Sequence, residues 1–180
     1  MCEPASIFGE LVKNFIYDPR VTPLKIAVSD SDYQTITFYE AEEDGLSTMT
    51  KEWLTNPAMP YNGKPYKEIT ALTMTIDTLA KKYGEPDLIK IDVEGAEWSV
   101  FRGMSKPYPM TFEWTYATIG EHREQLRYLA SLGYTQVAPR FIEQHLHQPD
   151  NWIALEDFNF SRWHLFNAPY WEKEGWQEAG

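Results

Sequence analysis

Cysteine is almost absent from the chain. Cys2 is the single thiol in 180 residues, so no intramolecular disulfide can form and a reducing compartment is the simplest setting. Basic residues are outnumbered, 16 Lys and Arg against 27 Asp and Glu, and the formal charge is −11. That balance argues against a nucleic-acid backbone or an anionic membrane as the main partner, because both need clustered Lys and Arg. No apolar run approaches the roughly 20 residues of a membrane span. The start lacks the basic-then-apolar pattern of a secretory signal, so the expected location is cytoplasmic. The ten glycines include no pair with the one-residue spacing of a G-x-G phosphate loop. No G-x-S-x-G turn occurs either, and Cys2 is terminal, so a serine or cysteine hydrolase is poorly supported.

What the chain does have is centred on residues 87–97, which read Asp-Leu-Ile-Lys-Ile-Asp-Val-Glu-Gly-Ala-Glu. Leu88, Ile89 and Ile91 make a short apolar run between Pro86 and Gly95, the pattern of a strand buried on both faces of a parallel sheet. Ligands of open α/β sheets bind beyond the carboxyl ends of strands, which is where Asp92 and Glu94 fall. With an extended backbone through Val93 both carboxylates point to one side, and Gly95 allows a tight turn into a helix. Lys90 lies inside the apolar run, where an isolated charge is costly, and so requires a partner, Glu113 or Glu94.

At 180 residues a single domain with a proper core is expected. Apolar residues from Ile7 to Phe15 have helical spacing after Pro4. Residues 23–28 read as a strand, and 35–40 as another paired with it in a hairpin. Residues 41–68 read as a long irregular insertion in which Ser47 and Thr48 form the most notable polar pair. A short strand over 70–75 precedes a helix from Ile76 to Tyr83 that stops at Gly84. A helix carrying Ala96, Val100, Phe101 and Met104 leads to a strand over 110–114. Leu126, Leu129 and Ala130 mark a helix ending at Gly133, followed by a strand over 134–138. Residues 151–155 suggest a last edge strand, and 157–180 are rich in Trp, Tyr and Phe. The division expected is a main domain over 1–156 and an aromatic-rich carboxyl-terminal flap over 157–180.

The octapeptide Lys90-Ile-Asp-Val-Glu-Gly-Ala-Glu97 resembles the signature of FkbM-type S-adenosylmethionine-dependent methyltransferases. Glu3-Pro4, Ala27-Val-Ser-Asp30, Thr75-Ile-Asp-Thr-Leu79 and Phe112-Glu113 fit the same family in order, so the resemblance spans roughly residues 2 to 138. It implies a class I methyltransferase fold, a Rossmann-like, mostly parallel sheet with helices on both faces. It also implies methyl transfer to an acceptor oxygen on a sugar or natural-product-like small molecule. On this reading the chain begins at the end of the second strand, and the first strand and glycine-rich loop lie outside it. Glu3 resembles the acid that bonds the cofactor ribose. Ser29 and Asp30 correspond to contacts near the adenine, and Asp92, with Glu94, faces the transferred methyl group or the acceptor hydroxyl.

Asp92 or Glu94 orients or deprotonates the acceptor hydroxyl on one reading, and on the other both bond loop amides and the start of the next helix. Methyl transfer from a sulfonium is downhill, so alignment supplies much of the acceleration and a strong base is not obligatory. Glu113 faces the same cleft or pairs with Lys90 or Arg102. His122 overhangs the cleft as a general base, or is an ordinary surface histidine at a helix start. His145 and His147 have the spacing of two ligands on one strand face. No third ligand stands at useful spacing, and no metal is expected. His164 packs within the aromatic tail, which caps an acceptor site, covers the sheet or meets a partner. A homo-oligomer stays open. The competing function is a non-catalytic remnant serving as a binding or assembly module.

Overall fold

In the computed structural model, residues 1–43, 45–59, 61–113, 119–138 and 152–158 are described. The apolar spacing after Pro4 forms helix α1 (Phe8–Phe15), although none of its residues is fully buried. Before it, the first residues run parallel to the chain at Leu24. Glu3 N–H donates to Leu24 O at 3.0 Å, and Leu24 N–H donates to Met1 O at 2.8 Å. The strand expected over 23–28 shortens to β1 (Ala27–Val28).

The hairpin partner differs from the expected one. Strand β2 (Thr35–Ala41) is antiparallel to β3 (Tyr66–Met74), from Thr35 opposite Leu72 to Ala41 opposite Tyr66, while β1 is parallel to β3. The segment that was to turn β1 back onto β2 is fastened to β3 instead. Thr73 Oγ1 donates to Ser31 O at 2.6 Å and accepts from Gln34 N–H at 3.2 Å, and Tyr33 N–H donates to Thr73 O at 2.8 Å. The nine-residue β3 thus lies between its two neighbours and supplies a longer ladder than the two residues of β1 can.

The region read as an irregular insertion is packed. Its ends belong to β2 and β3, and its middle contains helix α2 (Glu52–Thr55), whose Trp53 and Leu54 are buried with Leu46 and Met59 in one apolar cluster. Burial of that cluster, rather than turn chemistry, shapes the segment. Ser47 and Thr48 hold it down. Thr48 exchanges backbone hydrogen bonds with Tyr39 at 2.9 and 3.0 Å, and Ser47 Oγ accepts from Ala41 N–H at 3.1 Å.

Helix α3 (Ile76–Tyr83) spans the residues its sequence predicts, and Thr75 caps it, with Oγ1 accepting from Thr78 N–H at 3.1 Å. Asp32 reinforces that cap by accepting from Thr75 N–H at 2.8 Å and from Thr78 Oγ1 at 2.7 Å. Next come β4 (Ile89–Ile91), α4 (Glu97–Arg102) and β5 (Met110–Phe112), with β4 and β5 parallel and Ile89 opposite Met110. Helix α4 buries Val100 and Phe101, and the Phe101 ring meets Phe112 edge to face at 4.9 Å.

Strand β4 is not covered on both faces. Ile91 is buried, but Leu88 is 63% exposed and the Lys90 side chain 71% exposed, so the face that carries Lys90 is open; among the described residues β4 also has one hydrogen-bonded neighbour. Residues Met1–Gln125 form one compact unit and the chain from Leu126 onward a second. Helix α5 (Ile119–Leu132) starts well before Leu126 and ends at Gly133, whose φ of +105° suits a glycine stop. In the second unit β6 (Gln136–Val137) pairs antiparallel with β7 (Ile153–Ala154), and a 3-10 turn follows over Leu155–Asp157.

The class is therefore α/β, built among the described residues from small sheets with both parallel and antiparallel pairings, rather than one mostly parallel sheet. Trp114, His145, His147, His164 and all of the flap beyond Phe158 lie outside the described residues. Among the described residues no helix is long and apolar enough to cross a membrane.

Candidate functional site

The carboxyl end of β4 forms an acidic corner. After Ile91 the chain leaves the strand, and Glu94 and Gly95 take left-handed backbone conformations in succession, with φ of +50° and +83°. Glycine adopts that conformation freely, whereas at Glu94 it costs on the order of 1 kcal/mol, the kind of strain that functional loops retain. Gly95 has a second reason to lack a side chain. A Cβ there would sit 2.5 Å from Cε3 of the buried Trp53 ring. The indole of α2 is thus packed directly under the turn.

Trp53, Asp92, Glu94, Gly95, Glu97 and Glu113 line a hollow that encloses about 160 Å3 once its open mouth is counted, with room on its floor for a water-sized group. Three of the carboxylates expected at a cleft, Asp92, Glu94 and Glu113, are therefore brought together. Burial pushes the Glu94 carboxyl up to about 7, and the negative charges of Glu113, Asp92 and Glu97 add to it, while the Trp53 indole N–H works in the opposite direction. Burial likewise takes Glu97 up to about 7, against backbone N–H groups of its own residue, Gly95 and Val93 that favour the charge. Glu113 is raised by burial and by Asp92, with Lys90 opposing.

Asp92 is tied differently. It forms an ion pair with Lys90 on the outer side of the corner, where both side chains are largely exposed. Lys90 accordingly pairs with Asp92 and not with Glu113 or Glu94, and the cost expected for a charge inside a buried strand does not arise because the strand is open on that side. The role of bonding loop amides, considered for Asp92 and Glu94, belongs to Glu97, whose Oε1 accepts from Gly95 N–H at 3.4 Å.

The other expected residues do not line this hollow. Glu3 Oε1 accepts from Ala5 N–H at 2.7 Å and so closes the turn before α1. Ser29 is buried at the end of β1, its N–H donating to Met74 O at 3.0 Å. Asp30 is held by Arg102 at 2.6 Å. His122, expected to overhang the cleft or lie on the surface, is only 2% exposed, and burial lowers its pKa to about 4.

Two lining residues had no place among the sequence candidates. Glu97 was in view as the last residue of the octapeptide, but the start of a helix is where acids occur for other reasons. Trp53 had one available signal, a large apolar ring in a polar stretch, and no periodicity to place it.

Among the described residues no three His, Cys, Asp or Glu side chains are arranged to hold a metal ion. The corner gathers carboxyls of which Glu94 and Glu97 are pushed up to about 7, beside the Trp53 indole. The family model described as Methyltransferase FkbM domain matches residues 1–136. No curated protein and no solved structure matches the chain. The match covers well over half of the 180 residues and includes every residue lining the hollow, and the chain belongs to the FkbM methyltransferase family.

Proposed function

We propose that the chain carries out S-adenosylmethionine-dependent O-methylation of a hydroxyl on a sugar or natural-product-like small molecule, in the cytoplasm. The observation that carries this reading is the convergence of Asp92, Glu94 and Glu113 on one hollow at the end of β4, with the Glu94 carboxyl poised near neutrality. S-adenosylmethionine, when bound, supplies a methyl group whose carbon is taken by the acceptor oxygen while the bonding pair stays on sulfur.

The chain's own residues then have separate tasks. Glu94, when ionised, accepts the hydroxyl proton, and the open mouth of the hollow lets that proton pass to solvent. Glu113 and Asp92 keep the corner negative, which suits a cationic donor. At about 160 Å3 the hollow is smaller than the roughly 300–1,000 Å3 typical of small-molecule sites, so the corner fits the reacting groups and not a whole nucleoside. Glu3, Ser29 and Asp30 are the residues the family likeness offers for the nucleoside.

That small volume is also what favours the second reading, a non-catalytic binding or assembly module. Isothermal titration with S-adenosylmethionine and S-adenosylhomocysteine separates the two. Micromolar binding supports the enzyme; no heat at millimolar ligand leaves the module.

A further inference from the structure

The turn that carries Glu94 is held by a part of the chain distant in sequence. Glu94 and Gly95 are both left-handed, at φ +50° and +83°, and the segment around α2 grips this pair at two points. Thr50 Oγ1 donates to Gly95 O at 3.4 Å, and the Trp53 ring lies so close that a Cβ on Gly95 would sit 2.5 Å from Cε3. Trp53 is itself packed in place, buried with Leu46, Leu54 and Met59 and 5.3 Å from the Tyr61 ring.

A phenyl ring would fill the space beneath the turn, whereas an indole adds a polar N–H whose burial without an acceptor is unfavourable. Nε1 of Trp53 is buried and has no hydrogen-bond partner of normal geometry; the group its N–H acts on is the Glu94 carboxyl, which it draws towards the charged form. The neighbouring charges work the other way. Asp92 and Glu97 flank Glu94 along the chain, and Glu113 faces it from the end of β5. Tyr61, beyond α2, has its hydroxyl pushed up by burial and by Glu94, Glu113 and Glu43, while Lys90 is engaged by Asp92. Trp53 is thus the neighbour that favours an ionised Glu94.

Resting on the methyltransferase reading, we propose that Trp53 is the positioning residue of Glu94: its indole N–H donates to the ionised carboxylate and, with Thr50 holding the turn, fixes the direction in which that carboxylate meets the acceptor hydroxyl. A carboxylate accepts at several lone pairs, so this contact leaves the group able to take the hydroxyl proton. The packing around the ring keeps the donor from swinging away. The α2 segment is thereby part of the site's machinery, joined to the end of β4 through one side chain.

The test uses the full chain, labelled with 13C and 15N, without S-adenosylmethionine. The Glu94 carboxyl 13C resonance, assigned by its loss in Glu94→Gln, is followed with pH in wild type and in Trp53→Phe, which alters no charge around the corner. Loss of the N–H should raise the Glu94 midpoint by about 0.5–1 pH unit. A Trp53 that only fills space predicts the reverse, since a smaller ring admits water and lets the midpoint fall towards the ordinary 4.5. In wild type the Trp53 indole 1H–15N resonance, assigned through the ring's contact with Gly95, should titrate together with Glu94 and lose that step in Glu94→Gln. An unchanged or lower Glu94 midpoint in Trp53→Phe, or an indole step that survives Glu94→Gln, overturns the proposal. If Trp53→Phe does not fold, the wild-type and Glu94→Gln spectra decide the matter. Cofactor binding without this coupling rejects the inference alone, and coupling in a chain that binds no cofactor rejects the methyltransferase reading while leaving Trp53 as the group that orients Glu94.

Discussion

Replacing Glu97 by Gln should stabilise the protein above neutral pH and leave it unchanged in mild acid. Glu97 is 7% exposed, and burial raises its carboxyl from 4.5 to about 7, in spite of the backbone N–H groups of Val93, Gly95 and its own residue that favour its charge. Between those two values the folded protein keeps a proton that the unfolded chain has released, so stability falls as pH rises through the window and is level above it. A gap of about 2.5 units at 1.36 kcal/mol per unit amounts to about 3 kcal/mol. The amide of Glu97→Gln retains an oxygen for Gly95 N–H and never ionises. Allowing for a weaker hydrogen bond from a neutral acceptor, the variant should exceed wild type by about 1–3 kcal/mol at pH 8 and match it at pH 5. Urea unfolding at pH 5, 6, 7 and 8, followed by tryptophan fluorescence, reads this directly. A variant no more stable than wild type at pH 8, or equally destabilised at both ends, would show that the buried charge is not costly and refute the reasoning.

Two glycine substitutions test the packing in opposite directions. Gly103→Ala should destabilise by about 1–3 kcal/mol, because a Cβ there overlaps the backbone carbonyl oxygen of Ser29, which has no rotamer to move; thermal unfolding at fixed pH measures it. Gly9→Ala should stabilise by about 0.5–1 kcal/mol, since the residue lies in α1 with nothing within 4 Å of the added carbon, and an unchanged or lowered midpoint in the same assay would contradict it.

What could be read from the residues alone divides along a physical line. Local signals came through: the strand, turn and helix around Gly95, and the Gly84 stop of α3, depend on residues adjacent in the chain. Features set by distant partners did not. The β2 hairpin was paired with the wrong neighbour because the fastening by Thr73 couples residues some forty positions apart. Lys90 looked costly because a parallel strand is ordinarily covered on both faces, and here one side is open. Trp53 reached the acidic corner through an apolar cluster that no repeat announces. Of the site itself, Asp92, Glu94 and Glu113 were legible from strand ends, whereas Glu97 and Trp53 needed the three-dimensional arrangement.

The charged pair at the end of β4 also bears on how the molecule keeps to itself. Among the described residues β4 has a hydrogen-bonded neighbour along one edge, and an unpaired edge of Leu88, Ile89 and Ile91 would be a template for another polypeptide to pair with. Lys90, exposed within that run, and its ion-pair partner Asp92 just beyond it put charge beside the strand, which disfavours such pairing. The gatekeeping is done by the very octapeptide that builds the acidic corner, so changes made there to alter chemistry will also alter solubility.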